Sequence, residues 1–202
     1  MRARAALFPA FFSLFLWGAA AAGEAPQDEV RRPQVAGLFY PASPAELSAL
    51  VERLLAAAPA KSMDGKLRAL IVPHAGYQYS AATAAAGYKL LAGSGVKDVI
   101  IIGSNHTRGT PPFVLSVAAY RWYETPLGRV PVSQHAAELL RRPPFRFVPA
   151  THDSHVEEVQ LAFLQRTLTD FSITPISTGS LDNASVARAA SLIVISSDLS
   201  HG

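Results

Sequence analysis

The sequence predicts an α/β fold, a mixed, mostly parallel sheet with helices on both faces. Three observations carry that prediction. Short runs at residues 67–72 (LRALIV), 96–102 (VKDVIII) and 192–195 (LIVI) end in continuously apolar stretches. A strand buried on both faces cannot alternate polar and apolar residues, and such runs mark it. Helical patterns separate the runs, which is the order that covers a parallel sheet from both sides. Finally, the chain has 202 residues, 50% hydrophobic and 16% charged. That length fits one core and excludes a large multidomain assembly or a disordered chain.

The elements follow in order. Met1-Arg2-Ala3-Arg4 and the apolar residues 5–22, ending Ala20-Ala21-Ala22, predict a cleavable secretory leader over 1–22. The expectation is export to the periplasm or the outside, with membrane contact only through this segment if it stays uncleaved. Residues 23–32 are polar and Pro-containing, a tether, and residues 33–202 form the domain. The first strand run, 67–72, leads through Pro73-His74-Ala75-Gly76 to a small-residue helix near 81–91. The second, 96–102, ends in Gly103-Ser104-Asn105-His106. Residues 113–118 predict a third, less buried strand. Ser133 caps a helix through Leu140, and 145–148 is briefly extended. The apolar spacing over 156–168 predicts a helix, and 173–177 and 192–195 are further strands. Residues 185–190 allow fewer than two turns of helix before the last strand. The sequence then stops at Gly202, directly after that strand and its polar tip, and the domain is expected to be incomplete at its C-terminus.

Charge and cysteine content narrow the function. The sequence carries 18 Lys and Arg against 15 Asp and Glu; without Arg2 and Arg4 the count is 16 against 15. No basic cluster with interleaved aromatics remains, which argues against a nucleic-acid partner. The absence of Cys excludes disulfides, iron–sulfur ligation and a thiol nucleophile within these residues. The six His are then the chief metal-capable side chains.

Ligands of open α/β sheets bind beyond the carboxyl ends of the strands. The run ending at Val72 is followed by His74, that ending at Ile102 by His106, and that ending at Ile195 by Asp198 and His201. Parallel neighbours would bring these four residues to one edge. Imidazoles and a carboxylate meeting there suit a divalent cation, and two His with one carboxylate suit non-haem iron(II). One His at a strand end more often caps it; three strand ends carrying the same feature favour a site. In Thr151-His152-Asp153-Ser154-His155, Asp153 or Ser154 can cap the following helix and Glu158 favours its first turn. Alternatively, His155 or Glu158 enters the cleft as an acid/base group. His135, on a helix expected to be exposed, reads as solvated. Ser196-Ser197 lacks the nucleophile-elbow pattern of a hydrolase.

These motifs together resemble the Memo family, also called AmmeMemoRadiSam system protein B. The carriers are residues 35–41 (VAGLFYP), 73–77 (PHAGY), 103–106 (GSNH), 155–164 (HVEEVQLAFL) and 196–202 (SSDLSHG), over about 31–202. The resemblance implies a fold similar to class III extradiol ring-cleavage dioxygenases, with iron or copper at the strand ends. It makes His74 and His106 the metal ligands. Asp198 and His201 become cleft residues, with His155, Glu158 and Gln160 on the helix segment. It also implies a third ligand, a Cys beyond this sequence, and two departures, Ser154 for Glu and Ala162 for Pro. The function implied is a metal-dependent oxidoreductase acting on a small molecule. Two alternatives stay open, a non-catalytic module binding metal or peptide through the same cleft, and an inactive fragment. A radical-SAM protein is the implied system partner.

Overall fold

The computed structural model describes residues 29–61, 64–107 and 115–178, and the backbone of 192–196. The expected leader, most of the tether, the helix at 185–190, Asp198 and His201 lie outside the described residues.

The expected sheet is present. Strands β2 (Ala69–Val72), β3 (Asp98–Ser104), β8 (Ser172–Thr178) and β9 (Leu192–Ser196) lie in the order β2-β9-β3-β8 and all run parallel. Beyond β8, β4 (Leu115–Val117) is antiparallel, and β7 (Phe145–Arg146) pairs with it in parallel. The sheet is mixed and mostly parallel. Its two faces explain the unalternating sequence of β3. Val99 and Ile101 join the larger core, whereas Ile100 and Ile102 join a second core on the opposite face. Every residue of VIII therefore loses water, at roughly 1.5–3 kcal/mol of gain for each such side chain.

Helices α1 (Pro44–Ala57), α2 (Tyr77–Tyr88) and α4 (Glu158–Thr167) supply the larger core. Helix α1 has no counterpart in the sequence reading. Its signal is the Ser43 side chain accepting from Glu46 N at 3.4 Å, with Pro44 opening the first turn. Helix α2 begins four residues ahead of its expected start and ends in a 3-10 turn, Lys89–Leu91. Its small residues let it lie flat on the sheet, since a Cβ at Gly87 would stand 3.1 Å from Val72 Cγ1. Helix α3 (Gln134–Leu140) covers the second core, and Ser133 caps it as expected, accepting from His135 N at 3.3 Å. His135 is half-buried.

Three expectations need correction. The β4 residues Leu115–Val117, expected to be less buried, are all buried, Leu115 and Val117 in the second core and Ser116 against His152. Neither Asp153 nor Ser154 caps α4, because Pro149–Asp153 is a 3-10 turn and the helix starts from Glu157 without a side-chain cap. The tether ends earlier than Arg32. Val30–Arg31 form strand β1, parallel to β5 (Trp122–Thr125), which makes a hairpin with β6 (Gly128–Pro131). This second, three-stranded sheet was not anticipated, and it buries Arg31 to 3% exposure.

Candidate metal centre

Three segments deliver three histidines to one point. His74 follows β2 and precedes α2. It is 1% exposed. The Gln160 amide donates to Pro73 O at 3.1 Å, and Tyr88 OH donates to Gln160 Oε1 at 2.8 Å, fixing the turn that carries it. His106 follows β3 and is exposed. Asn105 N donates to Thr178 O at 3.0 Å, while Thr107 N and Oγ1 donate to Asn105 Oδ1 at 2.7 and 2.6 Å. His155 is half-buried in the turn before α4. That turn presses on β3 where there is no side chain, for a Cβ at Gly103 would lie 2.2 Å from Val156 Cγ1.

One ring nitrogen from each of His74, His106 and His155 lies within 4.8 Å of the others. The Nε2 atoms of His74 and His106 are 2.9 Å apart. The rings of His106 and His155 stack, with centroids 5.3 Å apart and planes 8° apart. This donor set fits a divalent cation. Two nitrogens each about 2.0–2.1 Å from one ion, at roughly a right angle, are themselves about 2.9 Å apart. The sequence reading placed His74 and His106 together as ligands and gave His155 to acid/base work. The structure sets His155 beside the other two.

Glu158 and Gln160 face inward from α4 instead of into the cluster. Glu158 is buried, paired with the Arg31 guanidinium, and accepts from Gln34 N at 2.9 Å, Val35 N at 3.0 Å and Tyr40 OH. Both of its oxygens are committed to residues 31–40. Burial first, then the nearby Glu158 carboxylate, push the Tyr40 hydroxyl well above its usual range, so it stays a donor. Glu158 thus ties the 35–41 loop to α4, and Tyr77 N holds the same loop through Phe39 O at 2.8 Å. The ring of Phe39 then covers His155, centroid to centroid 4.6 Å. Outside this contact runs a cleft of about 500 Å³ whose lining includes Leu38, Phe39, Leu50, Leu54 and Tyr79.

Two further ionisable groups are buried beside the centre. His152 is enclosed, with Nε2 3.0 Å from Ser116 Oγ and Nδ1 3.0 Å from Tyr123 OH. Desolvation, reinforced by the Arg31 charge, lowers its pKa to about 3, so it is a neutral structural imidazole. Glu157 is 1% exposed, and neither carboxylate oxygen has a partner from another described residue. Burial raises its pKa to about 7; its own amide and Arg31 pull the other way. The sequence assigns neither group a role. Nothing local distinguishes Glu157 from an ordinary first-turn carboxylate, whose burial depends on β3 lying against it.

A family model described as Memo-like protein matches residues 31–202. A MEMO1 family protein of Aquifex aeolicus is 36% identical over 190 residues, covering 85% of this chain and 67% of that protein. One from Archaeoglobus fulgidus is 35% identical over 188 residues, with 85% and 68% covered. Another, from Thermotoga neapolitana, is 38% identical over 165 residues, with 73% and 57% covered. The chain accordingly spans between 57% and 68% of the length of these relatives.

Proposed function

The chain belongs to the Memo-like family, and from that premise we propose that His74, His106 and His155 hold a divalent metal ion, iron(II) or copper. The observation that carries this reading is the convergence of three ring nitrogens within 4.8 Å from three separate segments. Iron(II) held by imidazoles supplies Lewis acidity and redox capacity toward oxygen and a phenolic or enediol substrate. The protein's own part is positional. The Gln160 amide fixes the turn that carries His74, Gly103 leaves room for the turn that carries His155, Phe39 covers one side of His155, and Glu158 fixes the loop that brings Phe39 there.

His155 moves in this reading from acid/base catalyst to ligand. A proton-transfer role is left to Asp198 and His201, which follow β9 in sequence. It rests on strand order, since β9 lies between β2 and β3, the strands that precede His74 and His106. The kinship with extradiol dioxygenases belongs to the same proposal. A second reading, a module binding a small molecule or peptide without turnover, is favoured by Leu38 and Tyr79, each 79% exposed at the cleft beside Phe39.

The test is anaerobic calorimetry with iron(II) and with copper on the full chain. Binding of one ion that weakens sharply in His74→Ala and His106→Ala supports the reading. No binding, or unchanged binding in both variants, overturns it. Oxygen uptake by the iron-loaded protein with a panel of catechols then separates turnover from binding alone.

A further inference from the structure

Two members of the histidine cluster come from strand ends, which the sheet fixes. His155 comes from the turn between the 3-10 segment Pro149–Asp153 and α4, and its neighbours are held from the far end of the sequence. Arg31 Nε donates to His152 O at 2.9 Å, and Nη2 donates to Ser154 O at 2.8 Å. Nη1 pairs with the Glu158 carboxylate. These acceptors stand three residues before His155, one before it and three after it. The guanidinium is in turn fixed. It is 3% exposed, β1 is paired with β5, and its carbon lies 5.6 Å from the centroid of the Tyr123 ring.

We propose that Arg31 is a positioning residue for the metal centre, setting the backbone on both sides of His155 so that its ring meets His74 and His106. The inference rests on the reading of the cluster as a metal site. Arginine is suited to the task because its planar fork presents several donors at fixed angles, and here three acceptors are reached by three nitrogens. A lysine at 31 would keep the positive charge beside Glu158 but could not span the two carbonyls and the carboxylate together. β1 is the first of the described elements. The inference therefore links that strand to the geometry of the site.

The test uses cobalt(II) as a spectroscopic probe on the full chain, comparing wild type with Arg31→Lys and Arg31→Met. Wild type is expected to bind cobalt(II) with a visible ligand-field spectrum. Arg31→Lys is expected to unfold cooperatively like wild type, yet bind about tenfold or more weakly, with an altered spectrum. In the metal-free protein, ¹⁵N imidazole resonances should shift for His155 and stay in place for His74. A wild type that binds no cobalt(II) defeats the metal reading itself. A wild type that binds, with Arg31→Lys matching its affinity, spectrum and His155 resonance, defeats the positioning role alone. Unfolding of Arg31→Lys also defeats it, since that variant keeps the charge beside Glu158 and loss of positioning alone leaves the fold standing.

Discussion

The Nε2 atoms of His74 and His106 lie 2.9 Å apart although 32 residues separate them in the chain. The two histidines reach this distance from different surroundings, His74 being 1% exposed and His106 exposed. Their substitution should therefore separate binding from folding. His106→Ala is expected to change unfolding free energy by no more than about 0.5 kcal/mol while weakening iron(II) binding at least tenfold. His74→Ala should weaken binding similarly and also destabilise the protein, because it empties a buried position. Urea unfolding beside calorimetry checks both. A large stability loss in His106→Ala would contradict the surface position described here.

Gly103 is where β3 makes room for the turn carrying His155. An added Cβ would lie 2.2 Å from Val156 Cγ1 and 3.1 Å from Val156 Cβ, so the turn must move. Gly103→Ala should cost about 1–3 kcal/mol, as overpacking does, and should weaken metal binding by displacing His155. Val156→Ala made in the same chain should recover most of the stability, a coupling that a double-mutant cycle measures. Additive effects of the two substitutions would refute the contact.

What the sequence revealed and what it hid follow a physical division. The strands beneath His74 and His106 were legible because burial on both faces leaves an unbroken apolar run, with the histidines a step or two beyond. Helix α3 was legible from the local capping by Ser133. The roles of Arg31 and Glu158 were not. Arg31 lies within the polar, Pro-containing stretch that reads as a tether, and the acceptors it reaches at His152, Ser154 and Glu158 are 121 to 127 residues away. Glu158 has the local pattern of a first-turn carboxylate, and only the folded 31–40 segment occupies both of its oxygens. His155 lay between these cases. Its segment was singled out, but its place beside His74 and His106 depends on Gly103 letting the turn approach.

Glu158 is expected to matter for folding. Glu158→Gln leaves the buried Arg31 without its charge partner and should cost about 3–5 kcal/mol, as breaking buried pairs does. The exposed pair of Arg32 and Glu124 provides the contrast, for Arg32 is 75% exposed at its side chain. Glu124→Gln should cost less than about 1 kcal/mol. Denaturant midpoints of the two variants settle the comparison. If Glu158→Gln kept wild-type stability and lost only activity, the acid/base role expected from sequence would return.

His152 predicts one arm of the pH dependence. Its folded pKa is lowered to about 3 by burial and by Arg31, against about 6.5 in the unfolded chain. Between those values the unfolded state binds a proton that the folded state refuses. Stability from this group is thus complete above pH 6.5 and declines as pH falls toward 3, by a few kcal/mol in all. In urea titrations from pH 4 to 7 this group's contribution should rise with pH, against the opposite contribution of Glu157 above about pH 4.5. His152→Gln should flatten that rise, although it will also lower stability by disturbing the contacts with Ser116 and Tyr123. An unchanged slope would mean that His152 is protonated in the folded protein.

Glu157 predicts the opposite arm. Burial raises its folded pKa to about 7, whereas the unfolded carboxyl titrates at about 4.5. Across that window the folded state keeps a proton that the unfolded state has lost, so stability falls as pH rises. The cost, again a few kcal/mol, is complete above pH 7, where an ionised carboxylate must be held without a partner from another described residue. Glu157→Gln keeps the shape and removes the titration. It should therefore be more stable than wild type at pH 8, and the two should converge near pH 4.5. The crossing pattern distinguishes this from a packing effect, which would shift stability equally at both pH values. Wild type proving the more stable at pH 8 would show that the Glu157 carboxylate has gained a partner in the folded protein.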